Sequence, residues 1–219
     1  MEQLHQTEIL KLIRMGENIH QDFKYAITDS RKIARSLSAF ANTEGGSLLI
    51  GVKDNGKIAG VRSDEEYYMA ESAAKIFCRP EISFNTKIWK YEGKTVLEVK
   101  VPESNFKPHY VVEADGSKTA FIRVDDQNIR ANQVIRKVWE IKKQKTNRLV
   151  RYSRAEESLF RILGEKDYIS LNYFKKKAML SHSIAVRTLA NMIVFGVIDI
   201  EISEHHTNYF LKNDNSDSR

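Results

Sequence analysis

Three serine-capped helices followed by two short apolar runs constrain the last third of this chain more than any other feature. Ser153-Arg154-Ala155-Glu156 has the spacing of a capping box, in which the serine oxygen takes a free helix N–H and the glutamate reaches back. It predicts a helix carrying Leu159, Phe160, Ile162 and Leu163 on its apolar side. Ser170 is placed to cap a second helix, Leu171 to Ala178, and Ser181 a third, His182 to Phe195, which Gly196 ends. In the third helix Val186, Leu189, Ala190 and Ile193 predict an inward face, with Ser183 and Arg187 opposite. Val197 to Ile202 and Thr207 to Leu211 read as a hairpin around Ser203-Glu204-His205-His206. This is the plan of a winged helix-turn-helix over residues 153–212, a unit whose third helix reads the major groove of duplex DNA.

The charge falls where such a unit needs it. The 219 residues carry a net +6, but residues 1–135 hold 19 basic and 19 acidic side chains. Residues 136–187 hold 14 basic and 5 acidic, a net of +9, and residues 188–219 hold 2 and 5, a net of −3. A focused positive block suits a polyphosphate partner, because each neutralised phosphate releases counterions. Lys175, Lys176 and Lys177 close the second helix, where cations suit the dipole and reach a phosphate backbone. Arg187 is the expected base-edge contact, with His182 and Ser183 on phosphate or base. Asp199, Glu201 and Glu204 make the hairpin acidic and argue against a deep wing contact. Readers of this class bind paired half-sites, so a homodimer is a compatible expectation.

Cys78 is the single cysteine, which excludes an intramolecular disulfide and a thiolate zinc cluster and reads as a small buried hydrophobe. No apolar run approaches the roughly 20 residues of a membrane span, and the first residues lack the plan of a signal peptide. The expected location is the cytoplasm, with no membrane partner.

Upstream, helices and strands mix without regular alternation, which predicts an α+β domain over residues 1–135. Helices are expected at Thr7 to Met15, at Arg31 to Asn42 (capped by Asp29 or Ser30), and from Ser63 or Asp64 to Phe77. Strands are expected at Ile19 to Ile27, Ser47 to Val52, Ile82 to Trp89, Thr95 to Val101 and Thr119 to Val124. A helix over Asn128 to Lys145 closes this domain and runs into a basic helical linker, 136–152; the polar tail 213–219 is expected to be disordered.

Four ordered motifs carry a family resemblance. They are Glu17 followed by Asp22-Phe23-Lys24; Ala39-Phe40-Ala41-Asn42-Thr43; Gly45-Gly46 with the run Ser47 to Val52; and Ala120-Phe121-Ile122-Arg123-Val124. Together they resemble the Schlafen AlbA-type domain over roughly residues 8–135. The resemblance implies DNA binding, and bacterial members with an appended winged helix resemble transcriptional regulators. Some animal members are metal-dependent endoribonucleases, whose acids match Glu17, Asp22 and Asp54 here; that would make these three the ligands of Mg²⁺ or Mn²⁺, with Lys24 stabilising the phosphorane. Asp22 stands where the family has a glutamate, and Lys53 stands where acids are common, and both changes weaken a metal site. The opposing reading makes the acids structural partners of Lys24 and Arg123. Gly45-Gly46 precedes a strand rather than a helix and no Walker loop is present, so ATP is not expected. The leading expectation is therefore a nucleic-acid-binding protein, a DNA-binding transcriptional regulator. A metal-dependent endoribonuclease acting on RNA is the alternative, and a protein-interaction module the second alternative.

Overall fold

A computed structural model describes residues 2–61, 63–144 and 153–212. The expected linker beyond residue 144 and the expected disordered tail 213–219 lie outside the described residues. The chain divides into two units, Met1–Ala131 and Asn132–Arg219.

The first unit is built around one four-stranded sheet covered on both faces. After helix α1 (Glu2–Arg14), strands β1 (Gln21–Lys24) and β2 (Gly46–Ile50) run parallel, joined by helix α2 (Ser30–Asn42). After helix α3 (Glu65–Lys75) and the two-residue strand β3 (Cys78–Arg79) come β4 (Asn85–Tyr91) and β5 (Lys94–Val101), giving the sheet order β1-β2-β5-β4. The two-residue period of β2 sorts its side chains between two cores. Leu48 and Ile50 join Ile33, Leu37 and Phe40 of α2, while Leu49 joins Ile9 of α1, Phe23 and Trp89. Strands β6 (Tyr110–Val112), β7 (Lys118–Val124) and β8 (Gln127–Arg130) complete a second, antiparallel sheet, β3-β6-β7-β8.

Helix α2 differs from its sequence reading in one respect. Its apolar stripe packs as expected, and Asp29 caps it by accepting from the Arg31 N–H at 2.8 Å. Its polar side is also buried, because α2 packs on strands of both sheets. Ser38 and Asn42 face the residue before β6 and the middle of β7 rather than water. Asn42 Nδ2 donates to the His109 and Phe121 carbonyls, each at 2.9 Å, and Asn42 Oδ1 accepts from the His109 N–H at 2.8 Å. These backbone groups are therefore satisfied inside the protein, as buried backbone must be. Gly46 allows the close approach that follows. A Cβ there would lie 2.4 Å from the Phe40 ring, so only glycine lets the strand start beside α2.

The helix expected to start at Asn128 does not. Asp125 takes a left-handed conformation (φ +52°), the chain reverses, and β8 pairs with β7, Phe121 opposite Arg130. The helix begins only at α4 (Gln133–Lys143), where Asn132 Oδ1 accepts from the Ile135 N–H at 3.0 Å. Val134, Val138 and Ile141 of α4 belong to the core of the second unit. A segment expected to close the first domain and bridge to the next thus contributes to the next.

The second unit continues with α5 (Arg154–Glu165), α6 (Leu171–Lys177), α7 (His182–Val194), β9 (Ile198–Ile202) and β10 (Thr207–Leu211). Ser153 and Glu156 form the capping box, and Ser170 and Ser181 cap α6 and α7 by accepting N–H groups of Tyr173 and Ile184. β9 and β10 form the antiparallel hairpin, and Ile169 pairs with Tyr209 on its other edge. Phe174, Leu159, Leu189 and Tyr209 are almost fully buried at the centre. Among the described residues no helix is long and apolar enough to cross a membrane.

Candidate functional site

Two groups of residues singled out by sequence occupy different surroundings, one in each unit. In the first unit, Asp22 lies on β1 with only 3% of its surface exposed. Its carboxylate accepts from Lys24 Nζ at 2.9 Å and from Ser36 Oγ at 3.0 Å, and Arg123 Nη2 is 3.6 Å away. Arg123 is itself buried, 2% exposed, and donates to the Asn18 carbonyl (3.1 Å), the Gln21 carbonyl (2.9 Å) and Asn128 Oδ1 (3.0 Å). Asn128 returns a bond to Ser36 Oγ at 2.9 Å. Strand β7, helix α2 and strand β1 are thereby tied through one polar cluster in which each member finds partners.

Glu17 completes it. Its Oε1 accepts from the Phe23 N–H at 2.8 Å, and its carboxyl also hydrogen-bonds to Asp22. Burial, then the Asp22 carboxylate, push the Glu17 carboxyl up to about 7. Burial pushes Asp22 upward too, but the bond from Glu17, Lys24 and Arg123 outweigh it and hold that carboxyl below its usual range. Of the two coupled carboxyls, Glu17 is the one that takes up the shared proton as pH falls.

The sign of the pH effect follows. Glu17 is a carboxyl with a raised folded value, so its contribution to stability is complete below about 4.5 and is lost as pH rises through about 7. Asp22 acts oppositely, and its contribution fades only in strong acid. Glu17→Gln keeps an acceptor for Phe23 and a donor for Asp22 without a titrating proton. Between pH 5 and 8 the melting temperature of the wild type is expected to fall, by a few degrees at most because Glu17 is partly solvated, relative to Glu17→Gln. Parallel melting curves of the two proteins against pH would remove the shared proton.

The expected metal trio is not assembled. Among the described residues no three His, Cys, Asp or Glu side chains are grouped to hold a metal ion. The register puts Asp22 level with Leu48, whereas Asp54 lies beyond the end of β2, exposed in the turn Asp54-Asn55-Gly56. Two cations already serve Asp22, and Glu17 is engaged by the Phe23 N–H and by Asp22. With Asp54 apart and Asp22 engaged by two cations, the three acids do not present converging open carboxylates that would fit Mg²⁺ or Mn²⁺. Lys24 is a partner of Asp22 and of the Phe23 carbonyl at 2.7 Å. Ser36, Asn128 and Gln21 are not among the candidate site residues of the sequence. The one available signal was Ser36, a polar side chain beside the apolar stripe of α2.

In the second unit, α7 buries Ala185, Val186, Thr188, Leu189, Ala190 and Met192 and exposes Ser183 and Arg187. Lys176 and Lys177 are exposed in the last turn of α6, and Lys175 is half-buried. Among the described residues neither Arg187 nor these three lysines makes an ion pair. His182 is placed differently from the other α7 candidates. Its Nε2–H donates to Gln133 Oε1 at 2.6 Å, which ties the first residue of α7 to α4. On β9, Asp199 and Glu201 alternate with Ile198 and Ile200 and point outward as carboxylates. Cys78 is fully buried and its thiol is pushed up to about 12 by burial, so it is an inert core side chain.

The chain belongs to the Schlafen, AlbA_2 family, whose pattern matches residues 17–132. Several solved structures are similar in part, and two of them illustrate the likeness. One is the DIP2311 protein from Corynebacterium diphtheriae, at 12% identity and a TM-score of 0.46, aligned over 73% of this chain and 39% of that one. The other is the N-terminal domain of a RecG-related protein from Nitrosomonas europaea, at 22% identity and a TM-score of 0.42, aligned over 58% of this chain and 93% of that one. The chain therefore spans well under half the length of the first. No curated protein matches it in sequence.

Proposed function

We propose that the protein binds nucleic acid, that the second unit is a winged helix-turn-helix holding duplex DNA, and that the whole acts as a DNA-binding transcriptional regulator. One observation carries this reading. Arg187 and Ser183 stand exposed on α7, without counter-carboxylates, and α6 ends in three lysines. In a helix laid into the major groove, Arg187 donates in a bidentate manner to a guanine edge, Ser183 meets phosphate near the helix start, and the lysines lie along the backbone. His182, held by Gln133, is a rim contact at most. The acidic outer side of β9 stays clear of the phosphates, so recognition is confined to the two helices. The buried cluster around Asp22 and Arg123 then holds the first unit together rather than performing chemistry.

Fluorescence anisotropy with labelled duplexes tests the assignment. Arg187→Ala is expected to cost about 1–3 kcal/mol on the preferred sequence and to relax specificity at one base pair. Lys176→Ala should weaken all sequences uniformly. Affinities that both substitutions leave unchanged place the contact elsewhere.

A further inference from the structure

The second unit also contains a cavity of about 550 Å³ that the nucleic-acid reading leaves unused. Ends of elements meet around it. Gln133 and Arg136 come from the first turn of α4, Asn172 from α6, His182 from the start of α7, and His205 and His206 from the hairpin turn. Among the described residues no aspartate or glutamate lines it; one lining residue, His205, has a carboxylate partner, Glu204, 3.8 Å from its Nε2. Arg136 is exposed at its edge and makes no ion pair among the described residues. His182 is fixed by its bond to Gln133, and His206 Nδ1 lies 2.8 Å from Ser203 Oγ, so two of the three imidazoles are held in place.

The lining selects a chemistry. A guanidinium with no carboxylate partner presents a planar fork of donors that matches phosphate oxygens; His205 and His206 add imidazole donors, while the His182 Nε2–H is taken by Gln133. The carboxamides of Gln133 and Asn172 both donate and accept, which suits hydroxyl groups, and Leu171 supplies an apolar wall. The volume lies within the roughly 300–1,000 Å³ usual for small-molecule sites and exceeds what a bare phosphate fills.

We propose that this cavity binds a phosphorylated small organic molecule the size of a sugar phosphate or nucleotide. The phosphate sits on Arg136, His205 and His206, and the polar body on the carboxamides. The site touches the proposed DNA face only at His182, Arg187 does not line it, and it does not depend on that face binding DNA. A backbone phosphate of a nucleic acid carries the same group, so the experiment separates the two sources.

Full-length protein is titrated by calorimetry, with thermal shift alongside, using ribose 5-phosphate, glucose 6-phosphate and the four nucleoside monophosphates. Adenosine, inorganic phosphate and a duplex DNA serve as comparisons. At least one phosphorylated compound is expected to saturate a single site, at least about tenfold more tightly than adenosine or inorganic phosphate. Losing one charge-assisted contact in Arg136→Ala should weaken that binding by about 10–100-fold, while Arg187→Ala leaves it unchanged. Asn172→Ala, also at an exposed position, is a second probe and should weaken it less. The proposal is overturned if no compound binds, if inorganic phosphate binds as well as every ester, or if both cavity variants bind like the wild type. It is also overturned if Arg136→Ala weakens duplex binding while no small phosphate ester binds.

Discussion

Arg123→Met is expected to destabilise the first unit by about 3–5 kcal/mol, as removing one member of a buried charge cluster does. Methionine fills much of the volume over the Phe40 ring, where the guanidinium carbon sits 5.3 Å from the centroid. It satisfies none of the Asn18 and Gln21 carbonyls or Asn128, and it leaves Asp22 with Lys24 as its one cation. The two tryptophans allow a local reading: Trp89 lies in the core of the first unit, and Trp139 is buried in α4 of the second. In a Trp139→Phe background, urea unfolding followed by Trp89 fluorescence should show the loss as a lower midpoint with an unchanged slope. A change below about 1 kcal/mol would mean that Arg123 behaves as a surface ion pair does.

Phe174→Ala is expected to have a comparable effect, about 3–5 kcal/mol, in the second unit. Phe174 is fully buried where α6 meets the core formed by Leu159, Ile169, Leu189 and Tyr209. Helix α6 has only seven residues, too few to persist without its packing. The truncation leaves a cavity and releases the segment that carries Lys175, Lys176 and Lys177. Hydrogen exchange should show protection lost across α6 and α7 while amides of β2 and β5 keep theirs. Loss spread evenly over both units would contradict the separation of their cores.

Local chemistry made the second unit legible. Each of its serine caps and the apolar positions of α7 depend on residues within one or two turns, and the structure places them accordingly. The first unit was legible in its motifs but not in what the motifs do. Phe40, Asn42, Gly46, Asp22 and Arg123 are far apart in sequence, and their meeting depends on both sheets clasping α2. Hydrophobic periodicity records which side of α2 is polar; it does not say whether water or strand carbonyls lie opposite, and for Asn42 it is carbonyls. The turn at Asp125 escaped notice because its left-handed residue is not glycine, so β8 read as the start of a helix. Three acids at suggestive spacing suggested a metal centre. Strand register, which spacing along the chain does not reveal, sets Asp22 beside Leu48 and leaves Asp54 past the strand end.

Binding of duplex DNA as a function of salt tests most directly whether the second unit holds nucleic acid. For the wild type, log affinity should fall linearly with log salt, with a slope of about −0.9 for each phosphate neutralised and several phosphates engaged. Replacing Lys175, Lys176 and Lys177 together by alanine should flatten that slope by roughly two to three units while the melting temperature stays within a few degrees of wild type. A wild-type affinity indifferent to salt, or a slope that the triple replacement does not change, would contradict a phosphate backbone lying along α6 and α7.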